Sequence, residues 1–217
     1  MSTMWSQAGN YLPILLEGVK GTIILTAGSL ALSTVLGLIW ALMRVSGNKW
    51  LATLSEWIIN ILRGIPIIVI LFYIYFVMPD IGFSLSAMQA GIIGLGLAYS
   101  AYQSENFRAG IEAVDKGQIE AALAMGMSWP TTMRRVVLPQ AFRMTLPPYG
   151  NTMIMMLKDS SQASTITVAE LAMQGKLLAL STFDNKTVFT MVALIYLVMC
   201  LPLILFVKHL ERRESKK

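Results

Sequence analysis

Lys158 and Asp159 stand side by side at the end of an otherwise apolar stretch. Ionisable groups in such surroundings are costly and mark function by default. The lysine offers a cation to a carboxylate and the aspartate an anion to an ammonium, so the pair complements a zwitterion. The competing reading is a mutually neutralising pair at a helix break. Gln162 adds an amide four residues on, and Ser160, Ser161 and Ser164 can satisfy either broken backbone or a ligand. Glu105 and Arg63 are the other ionisable groups inside apolar runs. Glu105 lies three residues before Arg108, the spacing of an intrahelical ion pair, and Arg63 suits a topology anchor. Lys158, Asp159, Gln162 and Glu105 form the candidate binding set. Covalent chemistry finds little here. Cys200 and His209 are each the only residue of their type, so a site built on paired histidines is excluded. No nucleophile has a base at a useful spacing, so no catalytic residue is assigned. The fifteen methionines, with Met155 and Met156 adjacent, come without a Cys or His cluster; they are packing residues rather than metal ligands.

The elements that carry these groups follow from composition. The chain is 55% hydrophobic and 13% charged, with a mean hydropathy of +0.62. Soluble domains average about 25% charged residues, so this is an all-α integral membrane protein. A spanning helix needs about 20 largely apolar residues. Residues 21–43 are uncharged for 23 positions, 81–104 for 24 and 187–207 for 21, while 57–78 carries one charge, Arg63. Residues 144–157 are uncharged for only 14 positions, so a fourth span there must continue through Lys158-Asp159 into SSQASTITVA. About five spans result, in a single transmembrane domain, 1–217. The opening residues lack a basic leader and a small-residue cleavage site, so no signal peptide is read in them.

The basic residues set the orientation. The formal charge of +5 sits at the ends of apolar segments, which argues against nucleic acid. With five spans and residues 120–139 inside, the inner set is Arg44, Lys49, Arg63, Arg108, Lys116, Arg134, Arg135, Arg143, Lys208, Arg212, Arg213, Lys216 and Lys217. Lys20, Lys158, Lys176 and Lys186 fall outside. Thirteen against four, of 17 in all, predicts an outer N-terminus and a cytoplasmic C-terminus. The tail KHLERRESKK reads as a solvated cap that binds anionic lipid.

The inner loop, about 109–142, is too long for a plain linker. IEAVDKGQIEAALAMGM is rich in helix formers. Asp115 can cap, and Gly117 or Gly126 can end a turn. Pro130 suits the start of a second short helix, TTMRRVVL, which Pro139 ends or kinks. Composition alone leaves two readings open, a surface helix pair and a docking element for a cytosolic partner.

Within this loop, Glu120-Ala121-Ala122, three residues, Gly126, nine residues, Val136, one residue and Leu138-Pro139 resemble the EAA loop, E-A-A-x3-G-x9-I-x-L-P, of binding-protein-dependent ABC importer permeases. The single departure is Val136 for isoleucine. RGIPIIVILFYIYFVMP (63–79), AYQSENFRAGIEAVDKGQIEAA (101–122) and LPQAFRMTLPPYGNTMIMMLKDSS (138–161) are similar to stretches of the polar amino acid permeases, so the resemblance covers roughly 18–210. It implies a type I importer permease fold in a bacterial inner membrane. It also implies two ATPase subunits below, a second permease (identical or related) beside, and an external solute-binding protein above. The substrate would be a polar amino acid or a related zwitterion. The polar loop would be the coupling helix that turns ATPase closure into alternating access. Glu120 would hold the lever by an ionic or capping contact, Ala121 and Ala122 would allow close packing, Gly126 a tight turn, and Leu138-Pro139 would close the motif. The chain has no G-x-x-x-x-G-K-[ST] sequence, so ATP and Mg belong to the partner ATPase and no cofactor to this chain. The alternatives are a stand-alone secondary carrier or channel, and, with less support, an intramembrane enzyme.

Overall fold

The computed structural model describes residues 7–214, all of them helical or in short connections, with no strand among them. The first six residues, and the last three of the basic tail, lie outside the described residues. Helix α1 spans Ala8–Val45, α2 Lys49–Gly64, α3 Ile67–Phe72, α4 Ala87–Glu112, α5 Lys116–Ala124, α6 Trp129–Thr132, α7 Leu138–Asp159, α8 Leu171–Thr182 and α9 Asn185–Glu214. Two of these, α1 and α9, are long and apolar enough to cross a membrane. A third crossing is available if α2 and the stretch Ile67–Ile81 count as one bent segment.

The helix pairs fix the relative directions. Along α1 and α4, Leu25 meets Gly91, Leu32 meets Gly96, Gly37 meets Gln103 and Arg44 meets Glu105, so the two run parallel. Small residues hold them close, as expected where no water drives apolar surfaces together. A Cβ on Gly37 would lie 2.7 Å from that of Gln103. Helix α7 runs the other way along α4: Thr145 meets Gly110, Thr152 meets Asn106 and Asp159 meets Tyr99. Helix α9 reverses again along α7, with Tyr196 by Ser160 and Val207 against Gly150. The central core gathers Leu25, Leu71, Leu95, Tyr99, Met156 and Ile166. A second cluster, Tyr11, Leu15, Leu171, Val188 and Val192, joins the first turns of α1 to α8 and α9.

Three expected boundaries are corrected. The segment 57–78 is not one straight span: it breaks at Gly64-Ile65-Pro66, and α2 and Ile67–Ile81 are bent by 98°. Proline drives the residue before it out of the helical region, and Ile65 is extended, φ −102° and ψ 130°. The helix does continue through the polar pair, but as α-helix only to Asp159, and the tighter 3-10 stretch Ser160–Ile166 carries it on. Helix α1 begins at Ala8 rather than near residue 21, adding Glu17 and Lys20 to its N-terminal half.

Pro139 does not end the second loop helix either. Helix α6 passes through one π-helical turn, Met133–Val137, directly into α7. Proline lacks an N–H and its ring clashes with the carbonyl four residues back; the wider turn, with Leu138 N bonded to Met133 O, relieves that clash. The same device precedes Pro79, where Met78 N bonds to Tyr73 O after the π turn Tyr73–Val77.

Candidate functional site

Asp159 is the last residue of α7 and is half-buried. Tyr99 of α4, almost wholly buried, donates its hydroxyl to Asp159 Oδ2 at 2.7 Å. Lys158, one residue earlier and so turned about 100° round the helix, is exposed. No ion pair joins it to Asp159 among the described residues. The two side chains are therefore presented separately rather than paired with each other. Gln162 follows on the 3-10 stretch, half-buried, its side chain without a hydrogen bond among the described residues. Ser160 and Ser161 turn their hydroxyls back onto the carbonyls of Leu157 and Lys158, so they serve the helix break.

The structure does not bring Glu105 to this group. It lies six residues, about 9 Å, along α4 from Tyr99. Both its carboxylate oxygens are engaged, Oε1 by Arg44 at 2.6 Å and Oε2 by Arg108 at 2.7 Å. Arg108 also reaches Glu112. Glu105 thus ties the C-terminal ends of α1 and α4 together. Arg63 stacks its guanidinium over the Tyr102 ring, 5.9 Å from the centroid.

In the loop, Asp115 caps α5 by accepting from Gly117 N at 2.7 Å. Gly126 has φ +83°, with Gly126 N bonded to Leu123 O and Met127 N to Ala122 O, a glycine-terminated helix end. Ala122 is buried and Ala121 exposed. The loop is seated by Val114, Val137 and Ala141, with Ile119 and Met133 packed against them. Glu120 is exposed and forms no hydrogen bond or ion pair among the described residues, so the capping or ionic hold expected of it is not made within this chain. Leu138 and Pro139 are not at the loop's tip. They border an apolar groove of about 490 Å³ between α1, α4 and α7, with Leu38, Phe107 and Phe142. Three exposed apolar residues surround Gly126: Leu123, Met125 and Trp129, Met125 being 81% exposed. Their apolarity in a polar loop was a visible sign that the motif pattern did not use. Tyr99 left no such sign, since its partner is 60 residues away. Nor did Glu170, fully buried, which caps α8 through Ala172 N and Met173 N and accepts from Tyr196 Oη at 2.8 Å.

Residues 33–216 match the family described as "binding-protein-dependent transport system inner membrane component". The chain belongs to that family. This permease is 39% identical over 203 residues to the probable amino-acid ABC transporter permease protein YckA of Bacillus subtilis, covering 94% of this chain and 90% of the relative. It is 35% identical to the glutamine transport system permease protein GlnP of Escherichia coli K12, covering 96% of each. A crystal structure of an amino acid ABC transporter with histidines superposes with a TM-score of 0.89 at 36% identity, over 95% of this chain and 97% of that one. An inward-facing methionine transporter, MetNI, shares the fold, TM-score 0.78 at 23% identity, over 93% and 96% of the two chains. The permease therefore has the type I ABC importer fold and is a multi-pass inner-membrane transport subunit.

Proposed function

We propose that this permease is the transmembrane subunit of an ATP-driven importer for polar amino acids or related small zwitterions. The observation that carries the substrate class is the near full-length similarity to amino-acid permeases. Five spans cross the bacterial inner membrane, with the N-terminus outside and the C-terminus cytoplasmic. Two ATPase subunits bind ATP and Mg, and a second permease, identical or related, completes the path. An external binding protein delivers the substrate, and no nucleic acid is involved.

Asp159 receives the ammonium and Lys158 the carboxylate, with Gln162 beside them; the separate presentation of the two charges supports this assignment. Glu105 acts as a brace rather than a contact, because its oxygens are already engaged. Glu120, Ala121, Ala122 and Gly126 form the docking end of the coupling helix, and Leu138 and Pro139 its root. Leu123, Met125 and Trp129 supply the apolar contact with the ATPase.

The test is to solubilise the chain gently from its native membranes, purify it and identify its companions by mass spectrometry. An ATPase subunit in stoichiometric amount is expected. A chain that emerges alone, under conditions that preserve other complexes, overturns the proposal in favour of a stand-alone carrier. Uptake that survives ATP depletion while the membrane potential is held would overturn it as well.

A further inference from the structure

Helix α2 carries three separate faces. Ala52, Ser55, Ile59 and Leu62 turn towards the protein, Ser55 and Ile59 fully buried. Lys49, Thr53, Glu56, Asn60 and Arg63 repeat at four- and three-residue spacings and are all exposed. Trp50, Leu54, Trp57 and Ile61 repeat in the same way on a third face, 86, 53, 66 and 55% exposed. An apolar stripe beside a polar one, with two tryptophans on the apolar side, is the pattern of a helix lying in a membrane interface.

The contacts of α2 give its direction. Ser55 Oγ donates to Trp40 O at 2.8 Å, and Trp40 in turn reaches Ser100 Oγ at 3.3 Å. Arg63 lies over Tyr102. Ser55 thus sits at the level of Trp40, three residues past Gly37, which meets Gln103 of α4, and Arg63, eight residues or about 12 Å further along α2, still lies at Tyr102. Helix α2 therefore crosses α4 instead of running along it. After the 98° bend, Leu71 meets Gly94, so the stretch from Ile67 climbs along α4. The level at which α2 crosses is close to that of Arg44, Glu105 and Arg108.

We propose that α2 is an in-plane interfacial helix on the inner leaflet. Trp50, Leu54, Trp57 and Ile61 sink into the acyl boundary, while Lys49 and Arg63, at the two ends of the polar stripe, face lipid phosphates. Glu56 between them keeps the stripe from being uniformly cationic. The stretch Ile67–Ile81, about 22 Å long and without a lysine or arginine, then enters the hydrocarbon core without α2. This placement rests on the chain being a membrane permease and not on its substrate.

Single cysteines at positions 50, 54, 57 and 61, each in a Cys200→Ser background, would be nitroxide-labelled. The intact complex would then be reconstituted into phosphatidylethanolamine–phosphatidylglycerol vesicles. Relaxation by oxygen against a water-soluble nickel chelate gives each label's depth. All four are expected to be oxygen-accessible and to share one depth within about 5 Å, some 5–10 Å below the phosphates. A spanning helix would instead separate positions 50 and 61 by about 16 Å. Such a gradient overturns the proposal. So do labels accessible to neither reagent, which would mean a protein surface covers this face, and labels with full aqueous access. Any two well-separated positions decide the question if one variant fails to assemble. Uptake measured in the same vesicles separates this outcome from the transport reading, because the depth pattern does not depend on turnover.

Discussion

Tyr99→Phe removes one oxygen atom, and with it the only hydrogen bond that Asp159 accepts from a side chain among the described residues. Tyr99 is 1% exposed, so no water replaces its hydroxyl without repacking. A hydrogen bond to a charged group contributes about 1.5–3 kcal/mol. If the bond aims the Asp159 carboxylate at a substrate ammonium, its loss weakens binding by at most that amount, roughly 10- to 150-fold. The expected signature in proteoliposomes containing the whole complex is a raised KM for uptake with assembly unchanged. Asp159→Asn should impair uptake at least as severely. The double variant should be no worse than Asp159→Asn alone, because the two groups act as one unit. A Tyr99→Phe complex with the original KM and turnover would refute the role given to the bond. Normal uptake by Asp159→Asn would return the pair to a structural feature of the helix end.

Gly126→Asp should leave insertion intact but strip the ATPase subunits from the purified complex. A Cβ at this position meets nothing within this chain, although φ +83° strains any side chain by about 1–2 kcal/mol; normal uptake would show that the loop does not couple. Gly21→Ala should lower the thermal stability of the complex by about 1–3 kcal/mol, since the new methyl overlaps the carbonyl oxygen of Ala169 just before α8; an unchanged melting temperature would mean that the approach of α1 to α8 is looser than the structure has it. Glu170→Ala should cost more stability than Tyr196→Phe, because it removes the α8 cap along with the tyrosine's partner; the reverse order in a thermal melt would refute that hierarchy.

The EAA-like pattern was legible because its residues fall within one short stretch, 120–139, and its glycine has one conformational reason, the left-handed end of α5. The break in the second apolar run was written in Gly64-Ile65-Pro66, but continuous hydropathy over 57–78 masked it. Hydropathy measures what a segment is made of, and the proline measures where it turns. The end of α7 at Asp159 carries no comparable breaker; the serines that follow trade backbone bonds for their own, as Ser160 and Ser161 do. The role of Glu105 was half legible. Its bond to Arg108 follows from spacing, whereas its bond to Arg44 depends on α1 and α4 lying parallel, which a single sequence does not disclose. Helix α8 was hidden for a similar reason. Its start is fixed by Glu170 together with Thr22 of α1, whose Oγ1 accepts from Leu171 N at 3.1 Å.

One helical run joins the loop to the candidate site. From Trp129 the chain stays helical through the π turn to Asp159, 31 residues or about 46 Å. One end of this run borders Gly126, and the other presents the carboxylate. Hydrogen bonds hold it to α4 along the way: Asn106 to Pro148 O at 3.4 Å and to Thr152 Oγ1 at 2.9 Å, and Tyr99 to Asp159. Helix α4 is itself locked to α1 towards its C-terminal end by Glu105. A push on the loop therefore meets a braced pair, α1 with α4, and a run that can tilt against it. The compliant points are the π turn and the Pro147-Pro148 step, where the regular backbone ladder is interrupted. Tyr99–Asp159 lies at the far end of that run, where a given tilt produces the largest displacement. A bond placed there resists tilting with the greatest leverage. The Tyr99–Asp159 bond is thus the one that a tilting α7 would load most.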